Sequence, residues 1–349
     1  FGDYGQAYLE TADAGSGPYK FESQVKGSEL VMVKFPDYWK GWKPNQVEKA
    51  IHKVVPEEAT VKLLIKSGQA DMINQWVSVE TFNELKKEQG IVVEEIPGVQ
   101  LFHLPMNMKK KPTDNVNVRM AIAYAFDYET ANKTILDGAV PAQGPVPNKA
   151  YGHNDEIQPM KRDVQKAKDY LAKSGYKPGE LTVDYVYVDS LPSERKIGLL
   201  LQSNLAELGI NVNVIGVPWV KMTEMAVKPE TSPNLAAVFL SLRYPSPDAH
   251  TFGQYHPRSW GSYRAMSFYK RDDVTKVLES ARDSVKVEDQ IKYYKQSQAM
   301  VMEDMPSVYI GNPLHRIAYR SRVKGYVDVG LLGYDLNFLS PDPTRLTVL

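Results

Sequence analysis

An α/β fold in more than one domain is what this sequence predicts, on three observations. The chain has 349 residues with 43% hydrophobic content, enough to bury more than one core. Short runs that alternate apolar and polar residues stand between runs in which apolar residues recur every three or four positions. Over residues 181–217 a strand pattern, a helical pattern and a second strand pattern follow one another, the order of a β-α-β unit in a parallel sheet.

Taken from the N-terminus, the glycines of GSG at 15–17 make a turn before a strand. ELVMVKF and AIHKVV alternate on either side of PDYWKGWKPNQ, which predicts a strand pair with one buried face and Trp39 and Trp42 packing in the turn. Residues 59–67 form a short amphipathic helix closed by Gly68, and DMI leads into a loop carrying Trp76. IVVEEI and VQLFHL are two strands flanking Pro97 and Gly98. An extended segment ends at Asn107. A polar loop then passes Pro112 and Asp114, Asn115 caps a helix at Val116, and Asp127 stops that helix and caps another. Val164, Ala167, Tyr170 and Leu171 give the next helix one buried face, with Gly175 as its C-terminal cap. LTVDYVYV is a strand, Ser193 caps the helix that ends at Gly209, and VNVIGV returns as a strand. NLAAVFLSL is short enough for one buried strand; helices over 272–284 and 288–304 and the strands SVYIG and RIAYRSRVKGYV complete the chain.

Lysine plus arginine equals aspartate plus glutamate at 42 each, so no global field draws in nucleic acid or anionic lipid. No run approaches the ~20 apolar residues that span a bilayer. No leader pattern is present, so export rests on the resemblance given next. The absence of cysteine excludes disulfides, thiolate nucleophiles and cysteine-based zinc sites.

Six segments, in order, carry a resemblance: GSGPYKF, PDYWKG, SGQADMI, MNMKKKPTDNVNVRMAIAYAFDYETANKTIL, QKAKDYLAKSGY and ELGINVNVIGVPW. Together they are similar to the extracytoplasmic solute-binding proteins of ABC importers, family 5, a group with oligopeptide-, dipeptide-, nickel- and oligosaccharide-binding members. The resemblance implies an α/β, periplasmic-binding-protein-like type II fold of two lobes joined by a two-segment hinge. Residues 1–105 would form lobe 1 without its N-terminal strands, 106–305 lobe 2, and 306–349 the return to lobe 1. The chain would cross between lobes near 104–107 and 306–311, and the lobes would close around a cleft. It further implies a small-molecule ligand, peptide or oligosaccharide, the membrane subunits of an ABC importer as partner, and a missing N-terminal segment of the same protein. The location would be periplasmic or extracellular, with a lipoprotein anchor in the full-length form.

In that fold Trp76, Phe102, His103, Trp260 and Tyr263 would face the cleft from loops or strand ends, with Asn107 at the end of the extended segment. Flat aromatic faces stack on sugar rings, peptide bonds or cations; the alternative is that these residues pack in the core or at the rim. Peptide-binding relatives carry an aspartate for the ligand ammonium in a stretch resembling LSLRYPSPDAHTFGQY, and its counterpart here is Pro245. The missing carboxylate removes a charge-assisted anchor and leaves room for an uncharged ligand. Arg243 would hold a carboxylate or lie solvated at a strand edge, Tyr244 stands beside it, and Asp248 would cap a turn or reach the cleft.

His250 and His256 read as exposed loop histidines, so no metal and no cofactor are expected. Ser174 and Lys177 match S-x-x-K but straddle Gly175 at a helix end, without the partners that chemistry needs. The acceptor triplet at Asn132 falls inside a helix and is set aside. A receptor without covalent chemistry is therefore expected. The alternatives are a hydrolase acting on a peptide or glycoside with cleft carboxylates, and a chaperone or sensor that uses the cleft without transport.

Overall fold

The computed structural model describes residues 2–3, 5–242, 244, 246–326 and 347–348. Two compact units divide the chain: residues 1–96 with 316–349, and residues 97–315.

Unit 1 starts with a short helix, α1 (Gln6–Leu9), and an antiparallel sheet of β1 (Tyr19–Val25), β2 (Glu29–Lys34) and β3 (Lys49–Lys53). The alternation in the sequence forms the strands, but within them only Val31 and Ala50 are buried, so the expected buried face is thin. Trp42 does pack, donating to the Phe35 carbonyl at 2.7 Å and meeting Tyr19 edge-on, whereas Trp39 is 73% exposed. α2 (Glu58–Ser67) ends where Gly68 turns left-handed at φ 77. β4 (Met72–Ile73), α3 (Val79–Leu85), β5 (Ile91–Pro97) and the returning β13 (Leu314–Arg320) then enclose a small core of Ile65, Ile73, Phe82, Leu85 and Ala318. β14 (Val323–Lys324) pairs with β15 (Thr347–Val348).

Unit 2 holds the larger core. β6 (Gln100–Pro105) is buried throughout and leads through α4 (Val116–Ala125), α5 (Tyr128–Thr130) and β7 (Val140–Pro141) to α6 (Val164–Lys173), which packs on α4. The Asn115 side chain accepts the Asn117 N–H at 2.9 Å, the cap that the sequence predicts. β8 (Leu181–Val188), α7 (Pro192–Ala206) and β9 (Ile210–Val217) form the predicted β-α-β unit, parallel from Leu181↔Ile210 to Val188↔Val217. The helix begins two residues earlier than a Ser193 cap implies: Pro192, which lacks an N–H that would be unsatisfied there, takes the first position, and Ser193 lies inside. α8 (Trp219–Met225) follows directly after Pro218.

The apolar run expected as one strand is two. β10 (Leu235–Ala236) joins β8 in the parallel sheet, while β11 (Val238–Ser241) pairs antiparallel with β6 in a second sheet ordered β11-β6-β12-β7. α9 (Phe252–Tyr255), α10 (Asp272–Asp283), α11 (Val287–Asp304) and β12 (Ser307–Asn312) complete the unit.

Arg119 on α4, 2% exposed, ties these parts together. Its guanidinium donates to the Asp304 carbonyl at 2.7 and 2.9 Å, to Met305, and to Thr113 and Asp114, so it satisfies the last carbonyls of α11 where Met305 turns left-handed. Burial lowers its pKa to about 10 and leaves it charged at neutral pH.

The compact units divide at 96/97 and 315/316, and β6 and β12, which pair with each other, lie wholly inside unit 2. At the boundary Gly98 lies so close to the returning chain that a Cβ there would sit 2.8 Å from the Pro313 carbonyl oxygen.

Candidate functional site

β11 is an edge strand, so one row of its backbone N–H and C=O groups is not used by the ladder with β6. Its end is held from the side. Arg264 donates to the Ser241 carbonyl at 2.8 Å and to the Ala249 carbonyl at 3.3 Å, and its guanidinium lies 5.7 Å from the Tyr263 ring centre. Tyr263 in turn meets Trp219 edge-on at 4.9 Å. Trp219 is 44% exposed and so can offer a face to a solute. Trp260 is partly buried, donates through Nε1 to the Tyr269 carbonyl at 3.1 Å, and has the Lys109 ammonium 5.9 Å from its ring centre. Among the described residues, the outer edge of β11 thus stays outside any ladder, and Arg264 joins its Ser241 carbonyl to the Tyr263 ring.

Asp248 does not reach a cleft as a free carboxylate. Arg282 forks onto it at 2.7 and 2.8 Å, the Tyr294 hydroxyl donates to Oδ1 at 3.2 Å, and the Tyr244 hydroxyl donates to Oδ2. Four donors fill the acceptor sites of a carboxylate, leaving none for a ligand ammonium. Burial opposes its charge, but Arg282 and Tyr244 together hold its pKa below the ordinary carboxylate value. The turn expected here has a different cap: Ser246 Oγ accepts the Asp248 N–H at 3.3 Å.

Other candidates serve packing. Phe102 is fully buried against Phe239, with ring centres 4.3 Å apart. His103 bonds Ser307 Oγ at 2.8 Å and lies parallel to the Tyr309 ring; burial lowers its pKa to about 3, so it is neutral. Asn107 is buried and spends its amide on the Pro229 carbonyl at 2.8 Å and the Lys109 N–H at 3.0 Å. Trp76 belongs to unit 1, partly buried in the loop before α3, where its N–H donates to Asn74 Oδ1 at 3.1 Å. Arg243, with Pro245, lies outside the described residues.

The histidines expected on exposed loops are buried. His250 is fully enclosed and burial drives its pKa down; His256 stacks on Phe252 at 3.8 Å, accepts the Arg258 N–H and faces Glu279 at 3.4 Å. Among the described residues no three His, Cys, Asp or Glu side chains gather where a metal could sit. No helix among them is long and apolar enough to cross a membrane.

Trp219, Arg264 and Arg282, which touch the candidate residues, are ones that sequence reasoning passed over. Trp219 had a signal, a tryptophan after proline at the end of a strand; the two arginines had none, because their partners are distant in sequence.

Residues 3–262 match the family model described as bacterial extracellular solute-binding proteins, family 5 Middle. The probable D,D-dipeptide-binding periplasmic protein of Escherichia coli is 29% identical over 333 residues, 93% of this chain and 62% of that protein. Heme-binding protein A of Haemophilus influenzae is 26% identical over 332 residues, 94% of this chain and 59% of that one. The chain thus spans about three fifths of the length of these curated relatives. Among solved structures, an ABC transporter-associated periplasmic binding protein of Helicobacter pylori in complex with the peptide STSA superposes with a TM-score of 0.85 at 24% identity, over 99% of this chain and 67% of that one. That likeness shows the type II periplasmic-binding-protein fold.

Proposed function

Because the chain belongs to the bacterial extracellular solute-binding proteins of family 5, we propose that it is the larger part of an extracytoplasmic receptor that captures a short peptide and delivers it to the membrane subunits of an ABC importer. One observation carries the choice of peptide: β11 is an edge strand beside the ring of Tyr263 and the half-exposed Trp219. An extended peptide pairs its own backbone with such an edge, while neighbouring aromatic faces take its side chains. Main-chain hydrogen bonds supply affinity with little demand on sequence, which suits a transport receptor.

The same rings would stack on a sugar, but a sugar leaves the strand's alternating donors and acceptors unmatched, and so an oligosaccharide ranks second. A hydrolase finds no support among the relatives, whose names describe binding. In this reading the protein acts outside the cytoplasm, periplasmic or held at the surface as a lipoprotein. The part of its relatives' length that it does not span completes the receptor.

Incubation with a mixture of di-, tri- and tetrapeptides, followed by native mass spectrometry and analysis of the released ligands, tests the proposal. One peptide bound per chain and recovered intact is the expected result. Cleaved peptides, or no binding across the panel, would overturn it.

A further inference from the structure

We propose that Asp248 and Arg282 are positioning residues for the solute site: joined to each other, they fix the ring of Tyr244 as a contact surface for the bound peptide. The inference rests on the receptor reading above. Tyr244 is 43% exposed, yet its hydroxyl is tied to a carboxylate only 6% exposed. A ring anchored by its far end on a half-exposed residue loses its rotor freedom before the solute arrives, so binding need not supply that ordering.

The anchor is itself fixed from several sides. Arg282 comes from α10 and Tyr294 from α11, two helices packed against each other, and both bond Asp248 Oδ1. The Arg282 guanidinium lies 3.2 Å from the Phe252 ring centre, and His256 stacks on Phe252 at 3.8 Å. The segment that leaves the edge strand is thus held at Ser241 by Arg264 and again at Asp248 by Arg282, with Tyr244 between the two holds. A carboxylate that accepts an arginine fork and a tyrosine hydroxyl on its two oxygens orients that hydroxyl more sharply than a neutral amide would.

Calorimetry on the protein with di-, tri- and tetra-alanine as probes tests this. Compared are wild type, Tyr244→Phe, Asp248→Asn, the double variant and Asp248→Glu. Each of the first two substitutions should weaken binding roughly fivefold, the scale of ordering one side chain on binding. The double variant should be no weaker than the poorer single one, since Asp248 acts through Tyr244, and Asp248→Glu should recover part of the loss. A residue that merely holds the fold would lower the melting temperature and leave this coupling absent. Wild-type affinity in Tyr244→Phe, or losses that multiply in the double variant, overturns the positioning role alone. A wild type that binds none of the probes overturns the receptor reading and this inference with it. If Asp248→Asn does not fold, Tyr244→Phe decides by itself, because the ring is kept and only its anchor is removed.

Discussion

Replacing Glu194 by glutamine should make the protein more stable, and increasingly so as pH rises. Glu194 is the third residue of α7 and is 2% exposed; its carboxylate accepts the Val188 N–H at 2.8 Å. A helix N-terminus favours an anion, yet burial outweighs it and pushes the pKa from 4.5 to about 8. At about 1.4 kcal/mol per unit, full ionisation costs on the order of 5 kcal/mol, of which roughly 3 is felt at pH 7. Between the unfolded and folded pKa values the native state keeps a proton that the unfolded chain has lost. Stability therefore falls as pH rises through that window and levels off above about 8. Glutamine keeps an oxygen for the Val188 N–H and cannot ionise. The two proteins should melt close together near pH 4.5, and the variant should melt about 6–12 °C higher at pH 7, on the scale of a domain this size. Scanning calorimetry from pH 4.5 to 8 measures the difference, in which the titration of all other groups cancels. A difference that does not change with pH, or one that shrinks as pH rises, would refute the reasoning.

Three further outcomes follow from the packing. Gly311→Ala drives a Cβ into the Asn132 side-chain oxygen at the register shift in β12, so a loss of about 2 kcal/mol or more is expected in denaturant titrations. Arg119→Met leaves the carbonyls at the end of α11 without their donor, and about 3 kcal/mol or more should be lost, seen as a lower urea midpoint with an unchanged slope. Trp219→Ala should weaken peptide binding by about 1 kcal/mol or more with little change in melting temperature; unchanged calorimetric affinity would remove that ring from the site.

Local pattern made much of the fold readable. The β-α-β unit, the Asn115 cap and the Gly68 stop each follow from residues within one element, and each stands where the spacing puts it. What could not be read depends on partners far along the chain. NLAAVFLSL carries no mark of its division at Ala237, because the choice between sheets is made by β8 and β6. Asp248 looks free in sequence since Arg282 and Tyr294 lie more than thirty positions away. His250 and His256 sit in a polar, proline-rich stretch that reads as a surface loop, and only tertiary packing buries them. The aromatic residues divided along the same line: Phe102 lies in a strand buried at every position, whereas Trp260 lies in a turn and Tyr263 opens a single 3-10 turn, and both residues are only partly buried.

Gly98 gives the two passages of the chain an unusual intimacy. With no side chain at Gly98, bare backbone meets bare backbone beside Pro313. A single methyl group at that position would wedge the two stretches asunder. The lightest residue in the alphabet thus sets how near two stretches of the second unit come to each other.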